Sequence, residues 1–330
     1  MEEKAMANSK IIGVGSYLPE KVYDNAYMES IVDTNDEWIT RRTGIKERRV
    51  SEADEYTTDI AAKAAEAAIK DAGLTAEDID LILLATVTPD YFTPSCACVV
   101  QDKIGAVNAM AMDYNAACSG FVVGVIMADQ FIKTGAYKNV LVIAADVLTK
   151  ATDYKDRATC VLFGDAAGAA VMSATDEPGV MSFDMGADGS GHAMITSLAF
   201  KDDSEELEKR ISGRKETILM SGQAVMKFAV KAMADSSQRA LDKAGLTYDD
   251  IALVIPHQAN YRIVESAVKR MGITDDKVIL TIEKYGNTSA SCIPVALDEA
   301  VKTGRIKKGD KIILVGFGGG LTYAACAIQL

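Results

Sequence analysis

A chain of 330 residues, 49% hydrophobic with 25 Gly and only 6 Pro, can bury a large core and reads as one big domain or two fused halves. Its net charge of −12 argues against nonspecific binding to nucleic acid or an anionic membrane. No apolar run reaches the roughly 18 residues of a transmembrane helix, and the opening MEEKAMANSK carries charge but no apolar signal core, so a cytoplasmic protein is expected.

Residues 11–17 (IIGVGSY) read as a first strand, stopped by Leu18-Pro19. Residues 33–50 are polar and basic and hold the only tryptophan, Trp38. An Ala-rich helix is predicted over 57–72, ended by Gly73, and a buried strand over 80–86. A helix over 93–104, a strand over 109–114, a helix over 119–133 and a strand over 139–145 follow. Residues 160–172 (CVLFGDAAGAAVM) read as a strand, a Gly-bracketed turn and a second strand. Six cysteines (96, 98, 118, 160, 292, 326) form no C-x-x-C pair, and only two histidines accompany them. Neither a zinc site nor a disulfide framework is expected, and no metal is assigned. Cys96 and Cys98 are read as core or interface packing.

The stretch 110–124 (MAMDYNAACSGFVVG) organises the rest. It reads as a strand running into a helix, with Cys118 at the helix N-terminus. Unpaired N–H groups and the positive end of the helix dipole gather there and favour a nucleophilic thiolate. The competing reading is a buried, inert cysteine.

Two sequence matches point to an internal repeat. Residues 67–84 and 239–255 both read helix, A-G-L-T, acidic turn and buried strand, at an offset of 172. Lys133-Thr134-Gly135 and Lys302-Thr303-Gly304 each precede a strand, at an offset of 169. Two halves of similar plan result, residues 1–178 and 179–330, joined near 173–182, each with a parallel-rich sheet under helices. Chance similarity of helix-plus-strand segments is the rival explanation. Shifting Cys118 by 169 lands on Asn287, in Tyr-Gly-Asn-Thr-Ser-Ala, and both lie 15 residues before their Lys-Thr-Gly. The pair is expected to face one cleft.

His257, in VIPHQAN, follows a predicted strand, where α/β folds place their sites. A hydrogen-bonded structural histidine is the alternative. His192 falls in Gly-Ser-Gly-His, which reads as a mobile loop. The run Gly316-Phe317-Gly318-Gly319-Gly320 lets backbone N–H groups face an oxyanion, or makes a tight hairpin before the strand 321–329. Cys, His and Asn together fit two chemistries. In a cysteine hydrolase, Asn orients a His base. In a condensing enzyme, neutral His and Asn both donate to an enolate.

DEWITRRTGI, DYNAACSGF, VIPHQAN, YGNTSA and GFGGGLTY, in this order, resemble beta-ketoacyl-acyl-carrier-protein synthase III, the initiating condensing enzyme of bacterial fatty-acid synthesis. The resemblance runs from Ile11 to the C-terminus. It implies an α/β thiolase fold, with two pseudo-symmetric halves in five helix-sheet-helix-sheet-helix layers and a homodimer. By this likeness Cys118 takes an acyl group from acyl-CoA, with the N–H groups of Cys118 and Gly319 as oxyanion hole. His257 and Asn287 then serve decarboxylation of malonyl-acyl-carrier protein, and Phe317 packs over the nucleophile. Acyl-CoA is a substrate, and no cofactor is implied. Thr34, Trp38, Arg42, Arg157, Asn260 and Arg262 match CoA-binding positions. Without the family, Arg41, Arg42, Arg48 and Arg49 read as a solvated basic loop. Lys227, Arg262, Lys269 and Arg270 make a local positive patch for an acidic carrier protein. Thr93 stands where some members carry a bulky aromatic that caps the partner subunit's acyl pocket, so longer or branched primers are admitted. The charged segment 200–217 reads as a solvated insertion without assigned role. Rival readings are a same-fold Cys-His-Asn condensing enzyme or acyltransferase of secondary metabolism, a cysteine thioesterase and a non-catalytic acyl-CoA-binding protein.

Overall fold

The computed structural model describes residues 8–199 and 217–330, so all but the last residue of the charged 200–217 segment lies outside the described residues. The chain begins with β1 (Asn8–Tyr17), a ribbon of β2 (Lys21–Asp24) and β3 (Glu47–Val50), and the helices α1 (Asn25–Ile31) and α2 (Asp36–Thr43). Helix α3 (Thr57–Asp71) follows, then β4 (Leu81–Ala85), α4 (Cys96–Ile104), β5 (Met110–Tyr114), α5 (Gly120–Lys133), β6 (Asn139–Val147), the short α6 (Arg157–Cys160) and β7 (Asp165–Thr175). The first sheet has the order β1-β7-β6-β4-β5. The remainder holds β8 (Val180–Ala187), the two-residue strands β9 (Ile195–Thr196) and β10 (Leu219–Met220), and helix α7 (Gly222–Ala244). It ends with β11 (Leu253–Pro256), α8 (Tyr261–Met271), α9 (Ile282–Tyr285), α10 (Cys292–Lys302), β12 (Lys311–Gly318) and β13 (Thr322–Gln329). The second sheet runs β11-β12-β13-β8. The chain crosses from one sheet to the other between Thr175 and Val180.

Apolar residues recurring every three or four positions decide which helix faces inward. In α3, Ile60, Ala61, Ala64, Ala65, Ala68 and Ile69 are buried against one face of the first sheet. Gly13 and Gly15 of β1 permit this close packing, because a Cβ on either would lie 2.4 Å from the α3 backbone. Helices α5 and α10 are apolar nearly all round. They fill the space between the sheets with Phe121, Val125, Ile126, Ile293, Ala296 and Leu297. Helices α7 and α8 cover the outer face of the second sheet. Five layers result: helix, sheet, helix, sheet, helix.

The sheets are mixed rather than mainly parallel. β5, β4 and β6 run parallel, but β7 and β1 turn back. β11 and β12 are parallel, while β13 and β8 reverse direction. A parallel bridge from Val254 to Val278 stands where β5 stands in the first half. The region 160–172 holds one strand, not two. Cys160 ends α6, and only Phe163 makes an isolated bridge, to Asn287. The helix expected over 93–104 starts at Cys96, capped by the Ser95 hydroxyl, because Pro94 disfavours helical backbone at Thr93. Residues 189–194 form a 3₁₀ turn instead of a free loop.

Candidate active site

The two halves meet where the inner helices begin. Before α5, residues 117–119 form a 3₁₀ turn with Ala117 at φ 45°, and before α10, residues 289–291 form another with Ser289 at φ 56°. Left-handed backbone at a residue with a side chain is uncommon and tends to mark functional sites. An asparagine two residues upstream supports each turn. The amide oxygen of Asn115 accepts from Ala117 N at 3.0 Å, and that of Asn287 accepts from Ser289 N at 2.9 Å.

This pairing corrects the repeat register. Gly73 and Gly245, Ala117 and Ser289, and Val140 and Ile312 all stand 172 residues apart. The pseudo-symmetric mate of Asn287 is therefore Asn115, not Cys118. The offset of 169 holds only at the Lys-Thr-Gly ends, because α5 has 14 residues and α10 has 11.

Ser289 is the point on which the three predicted residues converge. Its N–H donates to Asn287 Oδ1 at 2.9 Å, its backbone acts on the His257 ring, and its buried hydroxyl, without a hydrogen bond among the described residues, favours the Cys118 thiolate. The neighbourhood of Cys118 is tight on one side only. A Cβ on Gly318 would lie 2.5 Å from Cys118 N, and one on Gly316 would lie 3.0 Å from Ser119 Cα. The glycine run thus does two things: it forms the β12–β13 hairpin, and it lets that hairpin press on the nucleophile turn. The Thr322 hydroxyl ties them by donating to Ala116 O at 2.9 Å. Gly319, at the tip, is half-buried and faces Ala117.

Cys118 is half-buried, and the helix N-terminus does not make it a resting thiolate. Burial pushes the thiol up to about 12, with Asp146 adding to the effect and the Ser289 hydroxyl opposing it. Desolvation outweighs the helix end here. Asp146 sits fully buried in β6, and burial raises its carboxyl to about 6 against the Val87 N–H and the Ser289, Thr86 and Thr88 hydroxyls.

His257 follows β11 directly. Its N–H donates to Val315 O at 2.8 Å, and its ring stands edge-on to Phe317 at 5.0 Å. Phe317 therefore packs against the imidazole, and its neighbours Gly316 and Gly318 lie against the Cys118 turn. Burial lowers His257 to about 3, with the Ser289 backbone opposing, so the ring is neutral at pH 7. Asn287 is hung between Leu162 O, which accepts from its N–H at 2.8 Å, and Gly164 N, which donates to its carbonyl at 3.0 Å. Its amide oxygen is committed to Ser289, which leaves the NH₂ as the end able to donate.

The depressed His257 fixes a sign for stability. Folded protein binds fewer protons at this ring than unfolded chain between pH 6.5 and 3, so its contribution is present above 6.5 and lost as pH falls. Going from pH 7 to 5 is expected to cost about 2 kcal/mol through this group. Denaturant titrations of wild type and His257→Phe at both pH values check it: the variant should lose less stability on acidification, and equal losses would refute the assignment.

Two guanidinium groups, those of Arg42 and Arg157, stack on Trp38, each 5.0 Å from its ring. Arg157 also donates to Asp33 O at 2.9 Å, and the Thr34 hydroxyl is buried without a partner among the described residues. Asn260 caps α8 through Arg262 N and donates to Arg42 O at 3.1 Å, while Arg262 donates to Arg41 O. The end of α2 and the start of α8 are thereby clasped together. Arg48 is no part of a solvated loop. It is 1% exposed and donates to Tyr23 O, Asn25 Oδ1 and Val161 O. In the basic patch, Lys269 pairs with Glu265 and Arg270 with Asp235, so only part of its charge faces solvent uncompensated. Lys227 and Arg262 are exposed. Sequence reasoning missed Ser289, Cys292, Asp146 and Arg48; an aspartate inside the apolar run NVLVIAADV was the one visible signal.

Two pseudo-symmetric α/β halves, with a cysteine, a histidine and an asparagine gathered where their inner helices start, define a condensing enzyme of the thiolase fold. Residues 112–189 match the family model 3-oxoacyl-[acyl-carrier-protein (ACP)] synthase III, and residues 241–330 match that of its C-terminal part. The beta-ketoacyl-[acyl-carrier-protein] synthase III of Clostridioides difficile (strain 630) is 54% identical over 97% of both chains. The crystal structure of 3-oxoacyl-[acyl-carrier-protein] synthase III from Aquifex aeolicus VF5 superposes with a TM-score of 0.91 at 44% identity, covering 98% of this chain and 100% of the other. The priming beta-ketosynthase of the R1128 polyketide pathway gives 0.93 at 34% identity, covering 100% and 98%. The chain belongs to the beta-ketoacyl-acyl-carrier-protein synthase III family.

Proposed function

We propose that the protein joins a short acyl-CoA primer to malonyl-acyl-carrier protein, giving 3-ketoacyl-carrier protein, CO₂ and CoA, and so initiates fatty-acid synthesis. The observation that carries this reading is the meeting of one partly accessible thiol and two neutral donors at Ser289. Cys118 attacks the acyl-CoA thioester. Its proton is the one the departing CoA sulfur needs, so acylation is a thiol-for-thiol exchange with no net proton uptake. Malonyl-carrier protein then replaces CoA. Breaking its C–CO₂ bond leaves an enolate whose oxygen takes hydrogen bonds from His257 and the Asn287 NH₂. The carbanion attacks the acyl carbon, and the N–H groups of Cys118 and Gly319 hold the oxyanion until the C–S bond breaks. One such donor lowers the barrier by about 3 kcal/mol.

Trp38 with Arg157 and Arg42 receives the nucleotide; a base entering against the indole displaces Arg157 from its present stack. Thr34, Asn260 and Arg262 line the same approach. The carrier protein docks on α7 and α8, where Lys227 and Arg262, in no ion pair among the described residues, supply charge beside Lys269 and Arg270. Among the described residues no helix is long and apolar enough to cross a membrane.

A second copy covers the edge of the first sheet. Among the described residues β5 pairs on one side only, and Met110, Val107 and Phe92 around it are 48%, 72% and 71% exposed. Edge pairing across a two-fold axis gives a homodimer. Thr93 is exposed in the loop next to Phe92, which supports a role for it at the partner's acyl pocket. Thr93→Phe should lower kcat/KM for branched or longer primers about tenfold relative to acetyl-CoA. An unchanged preference across an acyl-CoA series would rule out this role.

Incubation with labelled acetyl-CoA tests the function as a whole. Stable label on Cys118, released as ketoacyl product only when malonyl-carrier protein is added, is the expected result. Release by water alone would mean a thioesterase, and no label would mean a binding protein.

A further inference from the structure

Cys292 opens helix α10, 2% exposed and used by no step above. Its sulfur lies 2.9 Å from His257 Nδ1 and accepts from Gln258 N at 3.2 Å. Among the described residues, the only acceptor found against this sulfur is Nδ1.

We propose that the Cys292 thiol donates its S–H to Nδ1 of His257 and so fixes the neutral ring with its proton on Nε2, the nitrogen that must donate to the malonyl thioester oxygen. The proposal rests on the condensing function above for its consequence, but not for its geometry. Burial pushes the Cys292 thiol well above its ordinary range, so the sulfur keeps its proton. A neutral thiol has one S–H, and surrounding donors cannot take it. Were Nδ1 protonated instead, the S–H would be stranded and the Nε2 lone pair would face the substrate oxygen. In a neutral imidazole, the hydrogen bond at one nitrogen decides the proton on the other. The Phe317 edge holds the ring in this orientation, and the backbone bond from His257 N to Val315 O fixes the residue that carries it. Cys292 is thus a positioning residue that acts through His257.

Histidine-labelled ¹⁵N NMR on the full-length protein reads the tautomer directly. There are two signals to assign, and a His192→Gln variant identifies the exposed one. Wild type and Cys292→Ser are expected to show the Nε2–H form at position 257, and Cys292→Ala a mixture. In kinetics, Cys292→Ala should acetylate Cys118 within about twofold of wild type, yet lose roughly tenfold or more in condensation kcat. KM for malonyl-carrier protein should stay unchanged, and Cys292→Ser should recover most of the rate. An Nδ1–H form in wild type, or a Cys292→Ala protein that keeps both tautomer and condensation rate, would overturn the proposal. Wild type that yields no ketoacyl product would refute the function instead, and the spectrum would still decide the tautomer.

Discussion

Cys118→Ala is expected to abolish the acyl-enzyme and to lower condensation by a factor on the order of 10⁴ or more, because the step that splits the reaction in two is gone. Mass spectrometry after incubation with acetyl-CoA should find no adduct. The same variant should still release CO₂ from malonyl-carrier protein, since His257 and Asn287 remain. His257→Ala and Asn287→Ala should behave in the opposite way. Each should accept the acetyl group on Cys118 but lose condensation by roughly 10²- to 10⁴-fold, the range for a positioned donor. A Cys118→Ala protein that still makes ketoacyl product, or a His257→Ala protein that fails in acylation alone, would contradict this division of labour. Carboxamide and imidazole are both uncharged here: Asn has no proton to lose, and burial holds His257 down to about 3. Lowering the pH from 7.5 to 6 should therefore leave His257 in its working state.

The largest stability loss is expected at Arg48, which has no part in the proposed chemistry. Arg48→Met should cost about 3–5 kcal/mol in denaturant unfolding, because it strips three acceptors of a charged donor in a buried place. Burial lowers this guanidinium to about 10, which measures how strongly the site resists a charge that its oxygens must then compensate. The site should suffer too. Arg48 holds Val161 O, the next residue's carbonyl accepts from Asn287 N, and a Cβ on Gly164 or Gly286 would meet the Arg48 side chain at 3.2 and 3.3 Å. Condensation should fall more than acetylation in the folded fraction. A variant with unchanged unfolding midpoint would show that the three carbonyl bonds contribute little.

Strong periodicity made the scaffold readable. The Ala-rich α3, the apolar β4 and β6, and the glycines that stop their helices follow from local rules that tertiary contacts reinforced. Cys118, His257 and Asn287 were legible because each stands at a turn beside a recognisable strand or helix start. Their partners were not. Ser289 matters through a positive φ that no propensity predicts for serine, and Cys292 through a helix phase that turns it toward His257. Arg48 looked like its exposed neighbours, because charge in a basic stretch gives no sign of burial. The repeat was correctly sensed but misregistered: three residues more in α5 shifted the Lys-Thr-Gly comparison, whereas β4 and β11 keep the true spacing. The thiol's raised pKa was missed for a related reason, since a helix terminus is visible in sequence and the desolvation around it is not.

The matched turns at Ala117 and Ser289 let one bend do two different jobs. A strictly symmetric pair would hold both copies to one compromise of chemistry. Because the halves lie in a single polypeptide, each bend carries its own side chains: the Cys118 sulfur comes just past the first, while the second bears the Ser289 hydroxyl and is braced by Asn287. Unlike residues at equivalent places thus separate nucleophile from donor.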